Sequence, residues 1–294
     1  MPSIQSKIVK TIIKINRYSW AKGSIEKQRS KQEKAGYKFR VLKQIYFEPV
    51  KINGLATEWI KTDNAMDGVV LYLHGGAFAL GSINVYRELL ARFAISTGLN
   101  ILAINYRLAP EHPFPAALED AVCAYDWLLM QGFDPARILI AGDSAGGGLT
   151  LSTLVALRDA GKPLSAGAVC LSPWVDLTLS SQSIQSNAST DPILNRNILT
   201  TFAEHYAGDY DMSNPLISPL YANLEGLPPL LIHVGTDEIL YDEAVLFANK
   251  AQAAGVDVTL VTWEGMFHVF QMVPFLPETK MSLAHMAEVI SRYL

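Results

Sequence analysis

From about residue 65 to the end, short apolar runs alternate with stretches whose apolar positions recur every three or four residues. The runs at 69–73, 101–105, 138–141, 168–171, 230–234 and 258–263 predict buried strands. The stretches at 85–97, 116–131, 149–160, 242–254 and 281–293 predict amphipathic helices. Apolar runs without internal alternation suit strands covered on both faces. Their alternation with helices predicts an α/β fold with a mostly parallel central sheet. Ahead of this region, 41–49 and 56–61 also read as strands, and the first forty residues read as charged helix.

Two segments fall outside the alternation. At the start, Ile4, Ile8, Ile12 and Ile15 recur at helical spacing, with Val9 and Ile13 beside them. This is an amphipathic helix. It is expected to pack on the protein's own body, with a membrane surface as the alternative. Lysines interrupt its apolar run and no small-residue cleavage site follows, so it does not read as a secretory signal. Between 180 and 219 the chain is Ser- and Asn-rich, then helical at 198–206, then loop, with no strand signal. A long insertion between sheet strands commonly serves as a lid. The expected division is therefore 1–45 and 180–215 as a helical cap, with 46–179 and 216–294 as the core.

Composition narrows the functions. The 294 residues are 50% hydrophobic and 18% charged, normal to rich for a globular chain that buries one sizeable core. A net charge of -4 supplies no basic field for a phosphate backbone, so nucleic acid is not an expected partner. No apolar run is long enough to span a bilayer. The two cysteines, Cys123 and Cys170, lie in apolar stretches and read as free thiols of a reducing, cytoplasmic compartment. No clustered Cys/His spacing suggests a metal, and no cofactor is expected.

The chemistry centres on Gly142-Asp143-Ser144-Ala145-Gly146, a G-x-S-x-G pattern between a buried strand and a helix. That setting exposes a serine on a sharp turn and aims free helix N–H groups at developing negative charge. No lysine follows the glycines, which argues against a phosphate-binding loop. Upstream, the strand at 69–73 ends in His74-Gly75-Gly76-Ala77. Acyl transfer needs backbone donors aimed at a tetrahedral oxyanion. The amides of Gly75, Gly76 and Ala145 are the expected donors.

These motifs, HGGAF, then YRLAPEHPFPAALED at 106–120, then GDSAGGG, resemble the hormone-sensitive-lipase-like carboxylesterases. The likeness extends through SPLYANLEGLPPLLIHVGTDEIL at 218–240 to GMFHVF, and so covers most of 65–294. It implies an α/β-hydrolase fold with a helical cap. One departure is visible, since Ala77 stands where the family often has a third glycine.

The fold's order of nucleophile, acid, then base removes His74 and His112 as bases. His205 falls in the cap helix, His233 in a strand and His285 in the terminal helix. His268 alone lies in a loop directly after a late strand. For the acid, Asp237 and Glu238 both lie in the loop after 230–234. Loop placement and the position of the family's acid motif both select Asp237, with Asp242 as runner-up. The expected catalyst is Ser144 as nucleophile, His268 as base and Asp237 as orienting acid, acting on a small-molecule ester of short acyl chain. An amidase or deacetylase of the same fold, or a non-catalytic ligand receptor, are the alternatives, and a homodimer is left open.

Overall fold

A computed structural model describes residues 1–36, 44–63 and 65–294. Strands β1 (Ile45–Ile52) and β2 (Leu55–Thr62) form a hairpin turned by Asn53-Gly54, both at positive φ. That pair is a strong hairpin signal, because its backbone twist matches the flanking strands. The expected strand at 41–49 thus begins at Ile45, and its first residues, 41–43, lie outside the described residues.

Six further strands follow: β3 (Val69–Leu73), β4 (Asn100–Ile104), β5 (Ile138–Asp143), β6 (Gly167–Leu171), β7 (Leu230–Gly235) and β8 (Val258–Trp263). The described residues form one eight-stranded sheet in the order β1-β2-β4-β3-β5-β6-β7-β8. Its β1/β2 and β2/β4 pairs are antiparallel and the rest are parallel. Every residue of β3, β5, β6 and β7 is buried, which is why these strands read as unbroken apolar runs.

Helices α1 (Ile4–Ile15) and α2 (Ile25–Gly36) precede the sheet. Then α3 (Ile83–Thr97), α4 (Ala116–Met130) and α5 (Ala145–Asp159) follow β3, β4 and β5. The short α6 (Ser183–Ser186) and α7 (Arg196–Ala207) follow β6, α8 (Tyr241–Ala253) follows β7, and α9 (Pro277–Tyr293) follows β8. Alternate residues of β3 feed two cores. Leu71 and Leu73 pack with Tyr125 of α4, Leu149 of α5 and Phe247 of α8 in one cluster. Val70 and Tyr72 join Phe93 of α3 and Met286 of α9 in the other. Each buried Leu, Val or Phe contributes about 1.5–3 kcal/mol, so both faces hold the parallel strands in place.

The N-terminal segment packs against the 180–215 segment. The Trp20 ring stacks on Phe202 of α7 with centroids 6.3 Å apart, and its Nε1–H donates to Ile193 O at 3.1 Å. Arg17 Nη2 donates to Asp191 O at 2.6 Å. Helix α1 lies on the body as expected, but not through the isoleucine stripe. Val9 and Ile13 pack against Met266, Phe267, Phe270 and Leu276. Ile4, Ile8, Ile12 and Ile15 are 74%, 55%, 54% and 78% exposed. No helix among the described residues is long and apolar enough to cross a membrane.

Candidate active site

Strand β5 ends at Asp143 and α5 begins at Ala145, leaving Ser144 alone at the turn with φ 52° and ψ -123°. A non-glycine residue there costs on the order of 1–3 kcal/mol and persists only when its surroundings hold it. Ser144 N–H donates to Leu171 O at 2.8 Å, and Ser144 O accepts from Trp174 N–H at 2.9 Å. The turn also requires close backbone approach, since a Cβ on Gly146 would collide with Leu73 O and His74 O. Neighbouring backbone therefore fixes the serine's position.

His268 follows β8 through the turn at 264–267 and is buried. Its Nε2 lies 2.9 Å from Ser144 Oγ, and its Nδ1 lies 2.7 Å from Glu238 Oε2. With Nδ1–H donating to the carboxylate, Nε2 is free to accept the serine proton. Burial disfavours the charged imidazolium. The hydrogen bond and charge of Glu238, with Asp191 and Asp143 behind it, outweigh burial and raise the His268 pKa above its ordinary value.

The carboxylate that bonds His268 is Glu238, not the expected Asp237. Asp237 does not reach the imidazole; it forms an ion pair with Lys10 Nζ on α1, and both side chains are partly exposed. Glu238, fully buried, turns inward instead. Its Oε1 accepts from Ser172 Oγ at 2.7 Å and from Gly235 N–H at 2.6 Å, leaving Oε2 for His268. Three donors thus satisfy a dry carboxylate that would otherwise be very costly to bury. The runner-up, Asp242, sits in the first turn of α8, where its charge complements the helix dipole.

The loop expected to meet an oxyanion also departs from expectation. The Gly75 N–H is committed to Asp143 Oδ1 at 2.9 Å. The next two amides, of Gly76 and Ala77, have no acceptor among the described residues. Gly76 sits at φ 121°, and Ala77 and Phe78 at φ 54° and 59°, so the loop takes the left-handed turn that a third glycine would ease. Ala145 opens α5 beside Ser144.

Asp143 is 1% exposed, so it is not the solvated residue that its charge suggests. Besides Gly75 it accepts from Tyr72 OH at 2.9 Å and Tyr86 OH at 2.8 Å. Burial pushes its carboxyl up to about 6, while these three donors pull the other way. Asp143 therefore ties the Gly75 loop to the Ser144 turn. Tyr106 OH reinforces the loop by donating to His74 O at 2.6 Å.

A cavity of about 240 Å³ opens on Ser144 and His268. Its walls are mainly apolar, with Ile13 of α1, Trp20, Leu80, Leu194, Leu199 and Met272 among them. Phe78, Phe202, Tyr206 and Phe270 are buried core and lie outside this lining. Sequence reasoning also missed Ser172 and Asp191. Asp191 is buried, and accepts from Ile193 N–H at 2.8 Å, Leu194 N–H at 2.9 Å and Ile239 N–H at 2.9 Å. It thereby fastens the 180–215 segment to the loop that carries Glu238. Nothing local marked either residue, because their roles depend on long-range contact. Of the other histidines, His233 bonds Ser282 Oγ at 2.9 Å and His285 Nδ1 at 3.1 Å, and burial pulls it down to about 3. It is a core histidine.

Comparison with known proteins gives the chain a family. A family profile described as "alpha/beta hydrolase fold" matches residues 70–272. An acetyl-hydrolase of Streptomyces hygroscopicus is 40% identical over 96% of this chain and 95% of its own length. An esterase of Acinetobacter venetianus is 37% identical over 83% and 81%. The crystal structure of an esterase from the bacterial hormone-sensitive lipase family superposes with a TM-score of 0.94 at 42% identity, covering 100% of this chain and 99% of that one.

Proposed function

This chain belongs to the α/β-hydrolase family, among the serine ester hydrolases of the hormone-sensitive lipase group, and on that premise we propose that it hydrolyses short-chain acyl esters through an acyl-enzyme on Ser144. One observation carries the proposal. An unbroken hydrogen-bond chain runs from Glu238 through His268 to Ser144 Oγ, and it ends in a small apolar cavity beside unpaired amides.

The steps follow from the geometry. Ser144 Oγ attacks the ester carbonyl as His268 Nε2 takes its proton. Glu238 holds the imidazole tautomer and stabilises the imidazolium. The carbonyl oxygen becomes an oxyanion and is met by the amides of Gly76, Ala77 and Ala145, a set that replaces the expected Gly75, Gly76 and Ala145. Each such donor is worth about 3–4 kcal/mol in the transition state. His268 then gives its proton to the leaving alcohol. Water repeats the attack on the acyl-enzyme, with His268 again as base. Side chains and amides supply every step, so the reaction calls for no cofactor.

Cavity size supports the short acyl chain. About 240 Å³ lies just below the roughly 300–1,000 Å³ of pockets that hold drug-sized ligands. Walls from α1, the Trp20 turn and the Leu194–Leu199 stretch support reading 1–45 and 180–215 together as a cap. A series of p-nitrophenyl esters from acetate upward tests the proposal. Turnover is expected to peak at acetate or butyrate, to fall for long chains, and to vanish in Ser144→Ala. A Ser144→Ala variant that keeps its turnover, or a preference for long chains, would overturn it.

A further inference from the structure

Helix α1 has two apolar faces, and only one is used. Val9 and Ile13 pack on the body, and Ile13 reaches the wall of the Ser144 cavity. About 120° around the helix from that pair, Ile4, Ile8, Ile12 and Ile15 form a stripe, each more than half exposed. Isolated exposed apolar residues are ordinary, but four isoleucines in line on one helix are not. At about 100° per residue, Lys7 and Lys14 fall along the flank of that stripe, and both are exposed.

Charge is distributed to match. The first 36 residues carry nine Lys and Arg against two Glu, whereas the whole chain carries 24 basic residues against 28 acidic. Near the cavity, Phe275 is 61% exposed. It lies between Val273, which lines the cavity, and Leu276, which packs with Val9 and Ile13. An apolar stripe flanked by cations, on a cationic segment of an otherwise acidic protein, is complementary to an anionic lipid surface. Pairing with a second copy through α1 would set the lysines of both copies against one another, so a lipid surface fits better.

We propose that α1 docks the protein on anionic lipid surfaces through Ile4, Ile8, Ile12 and Ile15, with the Ser144 cavity beside the contact. The segment's outward isoleucines enter the headgroup boundary, and its lysines meet the lipid phosphates. Binding needs no turnover, so this proposal and the ester-hydrolysis proposal stand or fall separately.

The test is co-sedimentation of the full chain with vesicles of phosphatidylcholine alone or mixed with phosphatidylglycerol, at low and high salt. Wild-type protein is expected to bind the phosphatidylglycerol vesicles at least about tenfold more tightly than the neutral ones, and less tightly at high salt. The double variant Ile8→Gln/Ile12→Gln is expected to lose about tenfold in vesicle affinity. Its turnover of soluble p-nitrophenyl acetate should stay at the wild-type level, which shows that it folds. Absence of binding to the anionic vesicles, or equal binding by the variant, would overturn the proposal. So would a solution dimer that the double variant dissolves while wild-type protein ignores vesicles, because the stripe would then cover a second copy.

Discussion

Glu238 and Asp237 are adjacent carboxylates with opposite fates, and the difference is one of direction. Glu238 faces into the sheet's end, satisfied by Ser172, Gly235 and His268, whereas Asp237 faces α1 and Lys10. Glu238→Gln is expected to lower kcat by about 10²–10⁴-fold, because the imidazole loses both its tautomer partner and its counter-charge. Asp237→Asn should leave kcat within about threefold, since its ion pair is partly exposed and worth little. Steady-state kinetics of the two variants separate them.

The pH dependence has a definite sign. His268 must be neutral to act as base, and its pKa is raised, burial being outweighed by Glu238. Activity should therefore fall, as pH drops, on a limb lying above the ordinary imidazole value of about 6.5. In Glu238→Gln that limb should move to lower pH, a shift visible in the pH profile of kcat/KM. Asp143→Asn tests the tie between the Ser144 turn and the Gly75 loop. The substitution keeps an acceptor for Gly75 but weakens the grip on Tyr72 and Tyr86. A loss of about tenfold in kcat with little change in KM is expected, equivalent to about 1.4 kcal/mol. At this scale the pairing of Ser144 with His268 was legible, because each residue sits in a distinctive local setting. The carboxylate on His268 was not, because Asp237 and Glu238 are neighbours in one loop and only distant partners, Lys10 for one and Ser172 and His268 for the other, tell them apart.

Among the elements, α5 shows how packing hides the first turn of a helix from the apolar periodicity, although the G-x-S-x-G pattern places a helix there. The periodicity predicts a start near residue 149, but the helix begins at Ala145. Gly146, Gly147 and Gly148 are poor helix formers, which masks the first turn. They are there because a side chain at Gly146 would strike Leu73 O, and one at Gly148 would strike Trp174 O. Gly146→Ala is accordingly expected to destabilise the fold by at least about 1–3 kcal/mol. Thermal unfolding would read this as a Tm several degrees lower, with activity reduced through the displaced elbow. The helices with strong periodicity, α3, α4, α8 and α9, needed no such correction beyond their ends. Helix α1 was ambiguous for a different reason: with isoleucine or valine on both faces, its pattern could not say which face meets the body.

At the level of the whole molecule, alternating strands and helices were enough to predict a mostly parallel sheet with two covered faces. They were not enough to order it. Strand β4 lies between β2 and β3, and the antiparallel β1–β2 hairpin extends that edge. Such an order depends on crossovers between distant segments, which local periodicity does not encode. The order matters for function, because it sets β3, β5, β7 and β8 so that the loops after them converge. His74-Gly75-Gly76-Ala77, Ser144, Glu238 and His268 all come from those loops, a common place for ligand sites in α/β sheets. Residues of the N-terminal and 180–215 segments, Ile13, Trp20, Leu194 and Leu199 among them, line the cavity at that place.

If Ser144 Oγ, activated by His268, is the atom that takes the acyl group, a reagent that traps that atom identifies it directly. A p-nitrophenyl phosphonate should react once per chain and release p-nitrophenol. Peptide mass mapping would then locate the adduct. A single adduct on Ser144 is expected, absent from Ser144→Ala and strongly slowed in His268→Ala. An adduct on another residue, or continued ester hydrolysis after Ser144 is fully modified, would contradict it.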